Sequence, residues 1–251
     1  DGVWSTATAE AIVRVNQAGL PVALCSGRNR IQLAEISRLL GWRGFIAELG
    51  CVLVPDRDAD PIYNVGEWPD DALLPGETPF EAIARVGALD VLRAAFPGTI
   101  EDHAPHHLNR EATYVLRGNV DVAAVSGELA ALELPVRLID NGIVHPPRTT
   151  LVGVEEVHAY HLVPDGASKT EAIARDLELR GIAPGEALAI GDSATDVEMA
   201  DVTALMVLVA NALADERVLE AASARANIAA TRGVRGDGWA EFAATWLAAR
   251  G

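Results

Sequence analysis

The stretch that most restricts the fold is Ala187-Leu188-Ala189-Ile190-Gly191-Asp192-Ser193-Ala194-Thr195-Asp196-Val197-Glu198-Met199. Its first four residues are apolar and read as a short buried strand, which Gly191 breaks. A helix start follows, so Asp192 and Asp196 fall on one side of a first turn. Carboxylates at the carboxyl end of a parallel strand stand where open α/β sheets hold their ligands. Hard cations such as Mg²⁺ take oxygen ligands in that setting. The plainer alternative is a turn whose aspartates only cap the helix.

The first 50 residues read helix, strand, helix, strand. Ser5 or Thr6 caps a helix that Gly19 ends, and Pro21–Cys25 is an apolar strand. Ile31, Ile36, Leu39 and Leu40 mark an amphipathic helix closed by Gly41, and Phe45–Ala47 is a further strand. That alternation belongs to a parallel sheet with helices on its faces. From Pro61 the character changes. One helix is expected over 79–96, a strand over 112–117 and a helix over 120–132. A strand over 136–139 and period-2 strands over 151–162 complete a mixed α+β insert. At Gly166 the alternation returns. Ser168-Lys169-Thr170-Glu171 is a capping box opening a helix to about Arg180. A strand over 204–209, a helix from Asn211 and a terminal helix over 239–249 follow. The expected organisation is a first core part at 1–60, an insert at 61–165 and a second core part at 166–251.

Composition narrows the function classes. The chain has 251 residues and is 50% apolar, enough to bury a proper core. Twenty basic against 36 acidic residues give a net charge of −16. That balance argues against nucleic acid and anionic membranes as partners, since both require a basic surface. Individual cations near an anionic ligand then become informative. Cys25 and Cys51 alone make no disulfide framework or zinc cluster. No apolar run spans a bilayer and no signal peptide is visible, so a cytoplasmic location is expected.

Ser26-Gly27-Arg28 ends a strand at a helix start. A hydroxyl, free N–H groups and a guanidinium there can hold an anion, or simply form a strand-to-helix turn. Lys169 sits in a first helical turn, where the helix dipole disfavours a cation. A lysine in that place can neutralise a phosphate, or stand solvated. Asn211 lies between a strand and a helix, and Asp1-Gly2 is a common turn pair. His103, His106, His107 and Arg110 cluster in the insert without regular zinc-ligand spacing, as a polar loop or substrate contact would.

Taken together these pieces resemble the haloacid dehalogenase superfamily, closest to its Cof-like branch with a type IIB cap. Asp1-Gly2-Val3 is similar to the tail of the family's first motif and Ser26-Gly27-Arg28 to the second. Lys169 is similar to the third, and Gly191-Asp192-Ser193 with Asp196 to the fourth. Asn211-Ala212 and Asp237-Gly238 resemble downstream signatures of the branch. The resemblance implies a Rossmann-like α/β core, helices on both faces of a parallel sheet, with the insert as cap. It also implies a Mg²⁺-dependent phosphatase that works through an aspartyl-phosphate. Asp1 would be the general acid–base. The nucleophile and the first core strand would lie just upstream of residue 1, so a longer natural chain is expected.

By the same resemblance Ser26 and Gly27 hold the phosphoryl group, and Lys169 pairs with its oxygens. Asp192 and the Asp1 carbonyl hold Mg²⁺, with Asp196 as a direct or water-mediated ligand. Arg28, Ser193 and Asn211 join substrate binding, and His106, His107, Arg110 and Arg148 are candidate selectors in the cap. Departures from the family pattern are Thr195 where asparagine is usual, Glu48-Leu49-Gly50 where Glu-Asn-Gly is usual, and Thr170 after the lysine. The implied substrate is a small phosphorylated metabolite, either a sugar phosphate or a phosphorylated glycerate or glycolate derivative. The alternatives are a phosphomutase of the same superfamily, or an inactive binding protein if the nucleophile is absent.

Overall fold

The structure is a computed structural model that describes residues 5–250. Helix α1 (Thr6–Gln17) starts at Ser5, whose hydroxyl accepts from the Thr8 N–H. Strand β1 (Ala23–Cys25) then runs parallel to β2 (Gly44–Ala47), joined by α2 (Arg30–Leu40). A reciprocal box between Asn29 and Gln32 opens α2, and left-handed Gly41 (φ 76°) closes it. Strand β3 (Val52–Val54) turns back antiparallel to β2, and β4 (Ile62–Tyr63) pairs with β3. The tight turn between β2 and β3 has positive φ at Glu48 (53°), Leu49 (59°) and Gly50 (101°). A Cβ on Gly50 would stand 2.1 Å from the Ser168 carbonyl oxygen, so this glycine permits a close approach as well as the turn.

The insert holds its own antiparallel sheet. Helices α3 (Pro79–Arg85) and α4 (Ala88–Ala95) precede β5 (Ile100–Asp102) and β6 (Tyr114–Gly118). Helix α5 (Val122–Leu129), β7 (Val136–Ile143) and β8 (His158–Pro164) complete it. The strand order is β5-β6-β8-β7. Ile83, Leu92, Leu116, Tyr160 and Leu162 form the core between this sheet and its helices. The single helix expected over 79–96 is two, because Gly87 takes a left-handed φ of 75° between them. Residues 151–157 do not extend β8. Their backbone is diverted where the Thr150 N–H donates to Glu101 and Gly153 turns with φ 70°.

Helix α6 (Lys169–Arg180) begins at Ser168, whose hydroxyl accepts from Glu171 N–H. Strand β9 (Leu188–Gly191), helix α7 (Ala194–Val197), β10 (Leu205–Leu208), α8 (Glu216–Ser223), β11 (Ile228–Ala230) and α9 (Arg235–Arg250) follow. β9, β10 and β11 form a parallel sheet. Asn211 lies in a short 3₁₀ turn, Ala210–Ala214, and Asp215 caps α8 instead. Helix α9 starts before Trp239 and takes in Gly236-Asp237-Gly238. Gly238 serves close packing there, since a Cβ would meet the Gly233 carbonyl at 2.5 Å.

Among the described residues β1 and β9 are edge strands of their sheets. Both line one cavity of about 640 Å³, walled by Leu24, Cys25, Ile46, Ile173, Leu188 and Ile190. No helix among the described residues is long and apolar enough to cross a membrane.

Candidate active site

Three loop ends meet around the 48–50 turn. Gly50 presses on the start of α6, while the Leu49 N–H donates to the Ser26 carbonyl at 3.2 Å. The Glu48 N–H donates to the Arg28 carbonyl at 3.0 Å. The strand end carrying Ser26 is thereby fixed beside the helix start carrying Lys169. The Ser26 hydroxyl accepts from the Arg28 N–H at 3.3 Å, and the Arg28 side chain is exposed.

Lys169 is buried, as is Asp196. The Lys169 ammonium donates to Asp196 Oδ1 at 2.6 Å and to Thr195 Oγ1 at 2.9 Å. Asp196 Oδ2 accepts from the Asp192 and Ser193 N–H groups, both at 3.0 Å, and from the Ser193 hydroxyl at 2.9 Å. Burial pushes the Asp196 carboxyl up, but Lys169 and these donors outweigh it and hold the group below its ordinary value. Gly191 allows the fold-back, because a Cβ there would stand 2.5 Å from Asp196 Oδ2. The Asp192 carboxylate, by contrast, is exposed, touched only by a long 3.4 Å contact from Asn211 Nδ2. The Asn211 carbonyl oxygen accepts from the Arg235 N–H at 2.8 Å.

Lys169, Asp196, Ser193, Asp192 and Asn211 thus form one connected set. Asp1 lies outside the described residues. No cluster of three His, Cys, Asp or Glu suited to a metal occurs among the described residues. The donor chemistry still fits a hard cation at Asp192, an exposed carboxylate at a strand end with its oxygens almost uncommitted. Asp196 has both oxygens occupied and suits an outer role, reaching the ion through water.

The insert contributes a second wall. Arg110 is buried and donates to the Gly27 carbonyl at 2.7 Å and to the His106 carbonyl at 3.0 Å. Asn29 Nδ2 donates to the Leu108 carbonyl at 3.0 Å. His161, in β8, lies over Gly27, with its Cε1 3.4 Å from where a Cβ on Gly27 would be. Burial first, then Arg110, Lys169 and His103, push the His161 imidazole down to about 3. Burial and the neighbouring His106, Arg117 and Arg110 push His103 down to about 4. His106 is exposed and its ring meets His103 edge-on at 4.9 Å. Arg148 is exposed, and its carbonyl accepts from Arg117 at 2.8 Å.

Glu48 is fully buried. Its Oε1 accepts from Glu111 N–H, and its Oε2 from the Ala112 and Thr113 N–H groups and the Thr113 hydroxyl, at 2.8–3.1 Å. Burial raises its pKa despite Arg110 and these donors. Sequence reading left Glu48 and His161 without a role. The signal for Glu48 was an acid in an apolar strand end before glycine. His161 carried no signal, being one polar residue in a buried strand.

The family profile described as haloacid dehalogenase-like hydrolase matches residues 150–235. A phosphoglycolate phosphatase of Methanoculleus marisnigri is 28% identical over 210 residues, covering 83% of this chain and 77% of that protein. One from Methanococcoides burtonii is 26% identical over 203 residues, covering 80% and 75%. Among solved structures, a Thermoplasma acidophilum protein superposes with a TM-score of 0.65 at 19% identity, covering 98% of this chain and 91% of that one. The sucrose-phosphatase of Synechocystis gives 0.62 at 12% identity, covering 98% and 93%. Residues 150–235 are thus similar to the haloacid dehalogenase-like hydrolases, and the chain shares its fold with solved proteins that include a haloacid dehalogenase-like hydrolase of Bacteroides thetaiotaomicron.

Proposed function

We propose that this protein is a Mg²⁺-dependent phosphatase of a small phosphorylated metabolite that works through an aspartyl-phosphate. The observation that carries the reading is the buried Lys169–Asp196 pair beside an exposed, uncommitted Asp192, at the end of one strand. Mg²⁺ held by Asp192 would offset charge on the phosphoryl oxygens and on an attacking carboxylate, which otherwise repel. Asp196 holds Lys169 in place, with Ser193 completing the cradle. Lys169 holds the transferring oxygens from one side, and Ser26 with the Gly27 N–H holds them from the other. Arg28 and Asn211 stand at the open rim, where they can meet the rest of the substrate. Residues 61–165 act as a cap, joined to the phosphoryl loop through Arg110 and Asn29.

By the family resemblance the attacking carboxylate stands two residues before Asp1. Asp1, following it, protonates the leaving oxygen and then activates water. The relatives named phosphoglycolate phosphatase support a small substrate.

The test is hydrolysis of p-nitrophenyl phosphate by the full-length protein, with Mg²⁺ and with a chelator. Mg²⁺-dependent phosphate release, with a hydroxylamine-sensitive acyl-phosphate, is expected. Folded protein inactive under both conditions overturns the reading.

A further inference from the structure

We propose that Arg110, reaching from the insert, is a positioning residue for phosphoryl transfer. By holding the Gly27 carbonyl it fixes the Gly27–Arg28 peptide, and through that peptide it sets the direction of the Ser26 hydroxyl. This rests on the phosphatase reading and adds a residue that works without touching the substrate.

The chain of contacts is short. Arg110 Nη1 donates to the Gly27 carbonyl at 2.7 Å. The N–H at the other end of the same peptide unit, that of Arg28, donates to Ser26 Oγ at 3.3 Å. A peptide unit is planar, so its carbonyl and its N–H turn together. Fixing the carbonyl therefore fixes the donor that Ser26 Oγ accepts from. With that oxygen so engaged, the hydroxyl is free to donate its own proton to a phosphoryl oxygen. A guanidinium on the carbonyl also polarises the peptide and strengthens the Arg28 N–H as a donor. The peptide needs such a hold, because glycine on its N-terminal side leaves it free to rotate.

Arg110 is itself held from both sides. Asn109, just before it, takes a left-handed backbone with φ 57°, a costly conformation for a residue with a side chain. Arg110 Nε donates to the His106 carbonyl at 3.0 Å. Upstream, the Leu108 carbonyl accepts from Asn29 Nδ2. Downstream, Glu48 takes the N–H groups of Glu111, Ala112 and Thr113, and Arg30 pairs with Glu111 at 2.6 Å. Residues 108–113 are thus docked on residues 27–30 and on Glu48, with Arg110 between the anchors. The sequence places Arg110 among candidate substrate selectors, yet the residue is 9% exposed and both its acceptors are backbone carbonyls. Among the described residues no carboxylate pairs with it, and Glu48 acts on it through its field alone. A buried cation without a paired carboxylate is expensive to keep. A neighbouring loop that must be held rigid around an anion is a physical reason to keep it.

The experiment follows the full-length protein on p-nitrophenyl phosphate and on 2-hydroxyethyl phosphate, and its inhibition by inorganic phosphate, which has no leaving group. Arg110→Met keeps the apolar stem and removes every donor. It should lower kcat/KM about 10- to 100-fold, by the same factor for both esters, and raise the phosphate Ki about 10-fold. Arg110→Lys can reach one carbonyl only and should fall between R110M and the wild type. In a Ser26→Ala background the loss caused by R110M should shrink at least about 3-fold, since part of what Arg110 positions is already gone. Wild-type kinetics in R110M overturn the proposal. So does a loss confined to one ester with an unchanged phosphate Ki, which would make Arg110 a contact to the leaving group. Full additivity with S26A overturns it as well; all three outcomes leave the phosphatase reading intact. Should R110M not fold, R110K alone and with S26A carries the same comparisons. Hydrolysis of neither ester by the wild type overturns the phosphatase reading and this inference with it.

Discussion

Lys169 and Asp196 are a buried ion pair whose two members do different work, and a mutation cycle separates them. Lys169→Met leaves Asp196 charged among backbone donors in a dry site, which should cost about 3–5 kcal/mol of stability. It should also lower kcat/KM about 100- to 1,000-fold by removing a transition-state contact. Adding Asp196→Asn should restore much of the stability, read from the urea midpoint, and none of the rate. Recovery of rate in the double variant would make the pair merely structural. Asp192 makes the opposite case. It is exposed and nearly free of partners, so Asp192→Asn should change stability by less than about 0.5 kcal/mol. The Mg²⁺ concentration for half-maximal activity should rise at least about 10-fold, in line with loss of a direct ligand. An unchanged Mg²⁺ titration would remove Asp192 from the metal site.

Glu48 ties two sheets together, because one carboxylate at the end of β2 satisfies the backbone entering β6. Glu48→Ala orphans three N–H groups and should cost roughly 3 kcal/mol or more; Glu48→Gln, which keeps an acceptor, should cost clearly less. Equal losses by denaturant titration would show that charge, not acceptance, matters. This link explains which elements were legible beforehand. Helices with polar caps and a glycine stop, α2 and α6, are written in neighbouring residues and match expectation. The hairpin turn at 48–50 is not, because its left-handed backbone is justified only by contact with Ser168, 118 positions on. The same holds for α9. Expected from Trp239, it starts at Arg235, and Gly236 and Gly238 lack side chains where Thr8 and Gly233 leave no room for one. Lys169 and the two aspartates were legible because they break or follow local rules. His161 was not, since its partner loop is 134 positions away.

Across the molecule, acid sensitivity should begin well above the carboxylate range. An unfolded histidine titrates near 6.5, whereas His161 in the fold titrates near 3. Between those values the unfolded chain binds more protons, so stability is present above 6.5 and is lost as pH falls toward 3. From 6.5 to 5 this one group removes about 2 kcal/mol. His103, pushed down to about 4, acts in the same direction but less, being half-buried. His158 opposes them. Burial pulls it down, yet Glu156 and Asp140 raise it on balance, so its contribution is present below 6.5 and lost as pH rises through its folded value. That group is partly exposed and its pairs are screened, so the buried histidine wins. Carboxylates held low, such as Asp196, add their own losses only once pH approaches their ordinary range near 4. Urea midpoints at pH 7 and pH 5 should therefore fall toward acid in the wild type, and His161→Phe should flatten most of that slope. A slope identical in the two proteins would mean that His161 binds protons equally in the folded and unfolded chain, contrary to its burial beside Arg110.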